Sequence, residues 1–85
     1  GLMKFLIILT ILYSGDVDLT TYEYGFKKFI DKNTCEQYLK QESTYLEYTM
    51  YKQFTDKNIE YAQMECWENV KWLEHIESLK NILEV

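Results

Sequence analysis

The chain has 85 residues, a formal net charge of −5 at pH 7 and an apolar content of 47%. This length predicts one domain, spanning residues 1–85, and the lack of proline together with only three glycines argues against a linker or a disordered tail. All nine cationic residues are lysine, so the chain has no arginine for bidentate phosphate contacts. Together with the acidic balance, this disfavours nucleic-acid binding.

Residues 5–13 form an apolar run, FLIILTILY, that has two interpretations. It is too short to cross a bilayer, which requires about 20 apolar residues, so no membrane span is predicted. As a cleaved signal peptide, it has only Lys4 as a preceding charge, and Tyr13 stands where a small residue is preferred. Two interpretations of the run therefore stay open. The first is a buried strand, and the alternative is the cleaved signal peptide of a secreted factor.

The buried-strand interpretation is favoured by the residues that follow the run. Ser14-Gly15-Asp16 is typical of a hairpin turn, because glycine tolerates positive φ. We therefore predict strands over 3–13 and 17–24, with Gly25 ending the second strand. The first strand is apolar on both faces, which predicts that it is central or covered on both sides.

A helix is predicted over 33–54, starting at an N-cap in Asn33-Thr34. Apolar side chains recur at helical spacing along it, at Cys35, Leu39, Leu46, Met50 and Phe54. Glu42 interrupts this stripe and Thr44-x-x-Glu47 is a second capping-box pattern. One continuous helix and two helices broken near residue 42 therefore both stay open.

The last part of the chain predicts a third strand over 59–67 and a second helix over 69–84. In the strand, Ala62, Met64 and Cys66 share one face. The helix has an apolar stripe at Trp72, Ile76, Leu79 and Leu83. The predicted fold class is α+β, with the order ββαβα: a three-stranded antiparallel sheet packed with two or three helices.

The two cysteines, Cys35 and Cys66, are predicted to point into the same layer between helix and sheet. A disulfide would close a loop of about thirty residues and contribute up to about 3–4 kcal/mol. Two ordinary buried thiols are the alternative, since free cysteine is among the most buried residue types. Both interpretations stay open because the compartment is not known.

The chain resembles small uncharacterised bacteriophage proteins in the order strand, Gly-Asp turn, strand, F-x-x-x-x-x-C-x-x-Y-L, helix, and a third strand ending in cysteine. The residues that carry this resemblance are Leu6 to Tyr13, Gly15-Asp16, Phe29 to Leu39, and Cys66-Trp67. It covers roughly residues 4–67, and the C-terminal helix lies outside it. The resemblance implies a phage accessory or virion-associated protein in the host cytoplasm or virion, and no activity.

Three sets of residues are candidates for function. Tyr45, Tyr48 and Tyr51, at spacing i, i+3 and i+6, and Trp72 form a predicted interaction surface, because tyrosine and tryptophan are enriched in interfaces; packing in the core or at its boundary is the alternative. Tyr61, Glu65 and His75 are predicted to combine between subunits as an alternative small-molecule or catalytic site. The single histidine forms no recognisable metal set, so no metal and no cofactor are predicted.

The leading hypothesis is therefore a non-enzymatic interaction protein that acts on a protein partner or associates with itself. It would serve as a virion component or as an inhibitor of a host protein. The alternative is a small enzyme or ligand-binding protein whose site forms between the subunits of an oligomer.

Overall fold

A computed structural model describes residues 3–53 and 58–83 of the chain. It contains strands β1 (Phe5–Tyr13), β2 (Thr20–Phe29) and β3 (Ile59–Glu68), with helices α1 (Lys32–Gln53) and α2 (Asn69–Leu83). The order ββαβα and the α+β class are as predicted. The predicted helix ends at residues 54 and 84 lie outside the described residues.

The three strands form one antiparallel sheet in the order β2-β1-β3, so the apolar first strand lies at its centre. Leu6, Ile7 and Ile8 are each at most 1% exposed, although successive side chains point to opposite faces. Both faces of this part of β1 are therefore covered, as its continuous apolar sequence predicts.

The turn after β1 uses the predicted residues, but β2 differs from the prediction. Asp16 donates its N–H to the Tyr13 carbonyl at 3.0 Å, and Gly15 adopts a φ of +91°, which glycine accepts without strain. β2 then begins at Thr20 rather than at 17, and it continues through Gly25 to Phe29. The prediction that Gly25 ends the strand was wrong.

Gly25 instead opens a bulge in β2. Leu6 pairs with Lys28 while its neighbour Ile7 pairs with Tyr24, so residues 25–27 have no partner on β1. Glycine inside a strand is a common sign of such an irregularity. The bulge displaces Phe26, which is 83% exposed.

Helix α1 is continuous from Lys32 to Gln53, which decides against a break near residue 42. It starts slightly earlier than predicted, because Asp31 rather than Asn33-Thr34 supplies the cap. The Asp31 carboxylate accepts the Thr34 N–H at 2.7 Å, and this contact lowers the pKa of Asp31 below its ordinary value of 3.8. An oxygen that accepts an N–H of the first turn satisfies a donor that has no partner within the helix.

Helix α1 packs on one face of the sheet. The buried cluster there comprises Ile7, Phe29, Cys35 and Leu46, and half-buried side chains such as Met64 pack against it. Cys35 and Cys66 form a disulfide with a Cα–Cα distance of 6.1 Å, which joins α1 to β3 across this layer. The disulfide thus decides the question that the sequence left open.

Helix α2 packs on the opposite face, over one end of the sheet. Trp72 contacts Leu6 and Ile8 in a second buried cluster, with Trp67 and Ile76 packed against it. The start of α2 is fixed by Asn69, whose N–H donates to the Lys4 carbonyl at 2.8 Å and whose Nδ2 donates to the Met3 carbonyl at 2.6 Å. Neither described helix is long and apolar enough to span a membrane.

Candidate functional site

The face of the sheet beneath α2 contains a cleft of about 510 Å³ between the helix and the strands. This volume lies in the range of small-ligand sites, which is about 300–1,000 Å³. The cleft is lined by side chains from all three strands, from the segment before β2 and from α2: Thr10, Leu19, Thr20, Thr21, Tyr61, Gln63, Glu65, Trp67, His75 and Leu79. The cleft exists because α2 covers Leu6 and Ile8 and leaves the sheet beyond them partly open.

Alternation along β3 produces one wall of the cleft. Residues two apart in a strand share a face, so the side chains of Tyr61, Gln63, Glu65 and Trp67 all point away from α1. They form a chain of hydrogen bonds in which Tyr61 donates to Gln63 Oε1 and Gln63 Nε2 donates to Glu65 Oε1. Trp67 Nε1 donates to Glu65 Oε2 at 3.4 Å. The Glu65 carboxylate is therefore the acceptor at the end of this chain.

His75 forms the opposite wall with aromatic neighbours. Its ring stacks on Trp72 at a centroid distance of 5.7 Å and meets Trp67 edge-on at 5.6 Å. His75 Nε2 lies 3.2 Å from Thr21 Oγ1, so the imidazole is tied to β2 across the cleft. These contacts fix the ring at the boundary between the core and the cleft.

The predicted trio Tyr61, Glu65 and His75 is thus brought to one cleft within a single chain. A second subunit is not needed to bring these three together. Sequence reasoning missed Thr10, Thr21 and Gln63, although the alternation of Tyr61, Gln63, Glu65 and Trp67 was a usable signal for one of them. The two threonines had no signal, because their contribution depends on the register of β1 and β2.

The predicted interaction surface is divided by the structure. Tyr45 and Tyr48 lie on α1 and are 60% and 62% exposed. Trp72 is only 8% exposed and lies on the other side of the sheet, so its assignment to the same surface was wrong. The apolar stripe of α2, which includes Trp72, predicts a buried face as well as it predicts an interaction surface. In the structure, Trp72 is buried against Leu6 and Ile8. The side chain of Tyr51 lies outside the described residues.

A group of aromatic side chains, which we call the aromatic patch, lies where β2 meets α1 and comprises Tyr24, Phe26, Tyr38 and Tyr45. The rings of Tyr24 and Phe26 meet edge-on at 5.5 Å. Burial raises the pKa of Tyr24 above its ordinary value of 10.0, and a hydrogen bond with Tyr38 and the nearby Tyr45 add to the effect. Lys27 Nζ lies 4.5 Å from the centre of the Tyr38 ring. Phe26 was missed because Gly25 was taken as a strand end.

Within residues 3–53 and 58–83, no group of three or more His, Cys, Asp or Glu side chains is arranged to hold a metal ion. Comparisons of the chain with protein-family models, with curated proteins and with solved structures gave no match. The cleft and the aromatic patch are the two described surfaces that bear on function.

Proposed function

We propose that this protein is a non-enzymatic interaction module that binds a protein partner through the aromatic patch. The observation that carries the proposal is Phe26, which is 83% exposed while its ring meets that of Tyr24 edge-on. Large aromatic side chains at the centre of a surface patch are typical anchors of protein interfaces. Tyr24, which the Phe26 ring contacts, is half-buried and gives this anchor a preorganised base.

The biological setting that we propose is a bacteriophage, with the protein acting as a virion component or as an inhibitor of a host protein. The support is the resemblance carried by the hairpin with Gly15-Asp16 and by the motif from Phe29 to Leu39. An accessory role also agrees with a surface built for contact. Self-association through the same patch is the alternative form of this interaction.

The test is affinity for peptides selected against the folded protein from a displayed random library. Phe26→Ala and Tyr45→Ala should each weaken binding of the selected peptides at least about tenfold, because interface anchors typically cost 2 kcal/mol or more on truncation. Leu73→Ala is the matched control, since Leu73 is 62% exposed on α2, away from the patch. Binding that both patch variants leave unchanged would contradict the proposal.

Light scattering distinguishes a foreign partner from a second copy of the chain. If the patch binds a second copy, wild type should form a dimer that Phe26→Ala returns to monomer. A dimer that survives Phe26→Ala and Tyr45→Ala would place the subunit contact elsewhere.

A second candidate function is ligand binding at the cleft, in place of a site between subunits. It is favoured by the observation that Tyr61, Glu65 and His75 line one cleft of a single chain. A strict monomer keeps this candidate, whereas it excludes a site that requires two subunits. Catalysis at the cleft is less well supported. The Glu65 carboxylate accepts hydrogen bonds from Gln63 and Trp67, and none of the described hydrogen bonds joins it to His75.

A further inference from the structure

We infer that the cleft binds a cationic side chain, lysine or arginine, of another protein, with the Glu65 carboxylate as the counter-charge. The inference rests on the second candidate function, ligand binding at the cleft, and is independent of binding through the aromatic patch. Three features of the cleft favour a cationic occupant: its charge, its aromatic side chains and the apolar part of its lining.

The first observation is the charge of the cleft. Glu65 is the one carboxylate, and there is no lysine, among the described residues that line it. Both described hydrogen bonds to its carboxylate come from neutral donors, the Gln63 amide and the Trp67 indole. The described part of the chain has one ion pair, Lys32 with Glu36 at 3.8 Å, and it lies on α1. Glu65 thus has no ion-pair partner among the described residues.

The second observation is the ring content of the walls. Tyr61, Trp67 and His75 all line the cleft, and Trp67 and His75 are in mutual contact at 5.6 Å. The faces of tryptophan and tyrosine attract cations. Tyr61 and Glu65 are exposed, so this attraction adds to the charge of Glu65 rather than replacing it. A carboxylate beside the Trp67 ring, in a cleft that Tyr61 and His75 also line, is therefore a better match for an ammonium or guanidinium group than for an anionic group.

The third observation is the apolar part of the lining. Leu19, Tyr61 and Leu79 line the cleft and are exposed, so they offer apolar surface beside the polar side chains of Thr10, Thr21 and Gln63. Lysine and arginine carry an apolar stem below the charged head, and this division matches a cleft that offers apolar surface beside the Glu65 carboxylate. The net charge of −5 also favours encounter with cationic partners.

The experiment uses the full chain and three small probes: N-acetyl-lysine methylamide, N-acetyl-arginine methylamide and the uncharged N-acetyl-norleucine methylamide. Binding is followed by the NMR signal of the Trp67 indole N–H, which faces Glu65. At least one cationic probe should give a saturable shift with a Kd of about 10 mM or tighter, and norleucine should bind at least about tenfold more weakly. The affinity for the cationic probe should fall as the salt concentration is raised, because salt screens the attraction between the probe and Glu65.

Glu65→Gln is the decisive variant, because a glutamine oxygen still accepts from Gln63 or Trp67 while the charge is gone. It should weaken the cationic probe at least about tenfold, since a hydrogen bond to a charged group is worth more than a neutral one. Glu47→Gln is the control, with the same change of charge on the exposed side of α1. Equal binding by wild type and Glu65→Gln, or no shift with either cationic probe, would overturn the inference.

These outcomes distinguish binding of cations from binding of ligands in general at the cleft. If norleucine binds as well as lysine and Glu65→Gln has no effect, the cleft binds ligands but not cations. If no probe of any kind shifts the Trp67 indole signal, ligand binding at the cleft fails with it. Selected peptides that depend on Phe26 would remain as evidence for the aromatic patch in either case.

Discussion

The two faces of the sheet belong to the same strands but are buried to different extents. On the face beneath α1, Ile7 and Ile11 are fully buried and the disulfide joins the helix to the edge strand β3. On the face beneath α2, burial is concentrated at Leu6 and Ile8, and the sheet beyond them opens into a cleft. One face therefore supplies most of the closed core, and the other combines a smaller core with an accessible polar surface.

Strand β3 shows how the difference arises from sequence. Its alternate residues Ala62, Met64 and Cys66 face α1 and are apolar, whereas Gln63 and Glu65 between them face the cleft. A period of two lets one strand carry core on one side and a candidate site on the other. Polar residues that alternate with core residues in an edge strand mark the less covered face, which in β3 is the face of the cleft.

The largest loss of stability is expected from Trp72, which packs on the sheet beneath α2. Trp72→Ala should lower the free energy of unfolding by about 3–5 kcal/mol, because it removes a ring packed on Leu6, Ile8 and Trp67. Thermal and urea unfolding measure this directly. The neighbouring change Leu73→Ala, at an exposed position, should stay within about 0.5 kcal/mol. If Trp72→Ala costs less than Leu73→Ala, Trp72 is a surface residue and the comparison of faces fails.

The α1 face should depend on its disulfide. Replacing both cysteines, Cys35→Ala with Cys66→Ala, should cost about 3–4 kcal/mol, since the bond spans a sequence separation of 31 residues. A reductant should lower the melting temperature of wild type and leave the double variant unchanged. A loss below about 1 kcal/mol would mean that packing alone holds α1 on the sheet.

A smaller effect should come from the cap that fixes the start of α1. The Thr34 N–H lowers the pKa of Asp31, so the folded state holds the carboxylate charged at lower pH than the unfolded state does. This contribution is present above the ordinary value of 3.8 and is lost as pH falls through the lowered pKa of the folded state. Asp31→Asn keeps a capping oxygen but does not titrate, so it should show a shallower loss of melting temperature in acid. Identical acid profiles for the two proteins would rule out this role of Asp31.

The smallest effect on stability is expected at the aromatic patch, which lies at the outer edge of the closed face. Phe26→Ala should change the free energy of unfolding by no more than about 0.5 kcal/mol, because the side chain is mostly exposed. Urea unfolding beside the peptide-binding assay checks that binding and stability are separate at this position. A loss of several kcal/mol would reassign Phe26 to the core.

The fold was largely predictable from the sequence, because the features that specify it are local and repeated. The apolar run at 5–13, the Gly15 turn and the stripe of α2 each indicate their element without knowledge of the rest. The bulge at Gly25 was not predictable in the same way, since a glycine that ends a strand and one that interrupts it have the same local pattern. The choice between capping groups at Asp31 and Asn33 likewise depended on which backbone N–H each oxygen reaches.

The candidate sites were only partly predictable for a different reason. Tyr61, Glu65 and His75 come together because α2 folds back over β3, and that depends on packing rather than on spacing along the chain. Thr21 reaches His75 from a strand that is 54 residues away in sequence. The apolar stripe of α2 indicates that the Trp72 face is buried, but not what buries it, because such a stripe suits packing on the sheet and packing on another subunit equally well.

The most direct test of the difference between the face beneath α1 and the face beneath α2 compares two adjacent residues of the central strand. Thr10 lines the cleft, while Ile11 is fully buried on the α1 face. In separate variants, Thr10→Cys and Ile11→Cys, the rate of maleimide labelling is measured with the native disulfide intact. The Thr10→Cys thiol should react at least about tenfold faster, because labelling at Ile11→Cys requires local opening of the core. Equal rates would contradict the account, since they would mean that both faces are open or that α2 closes the cleft.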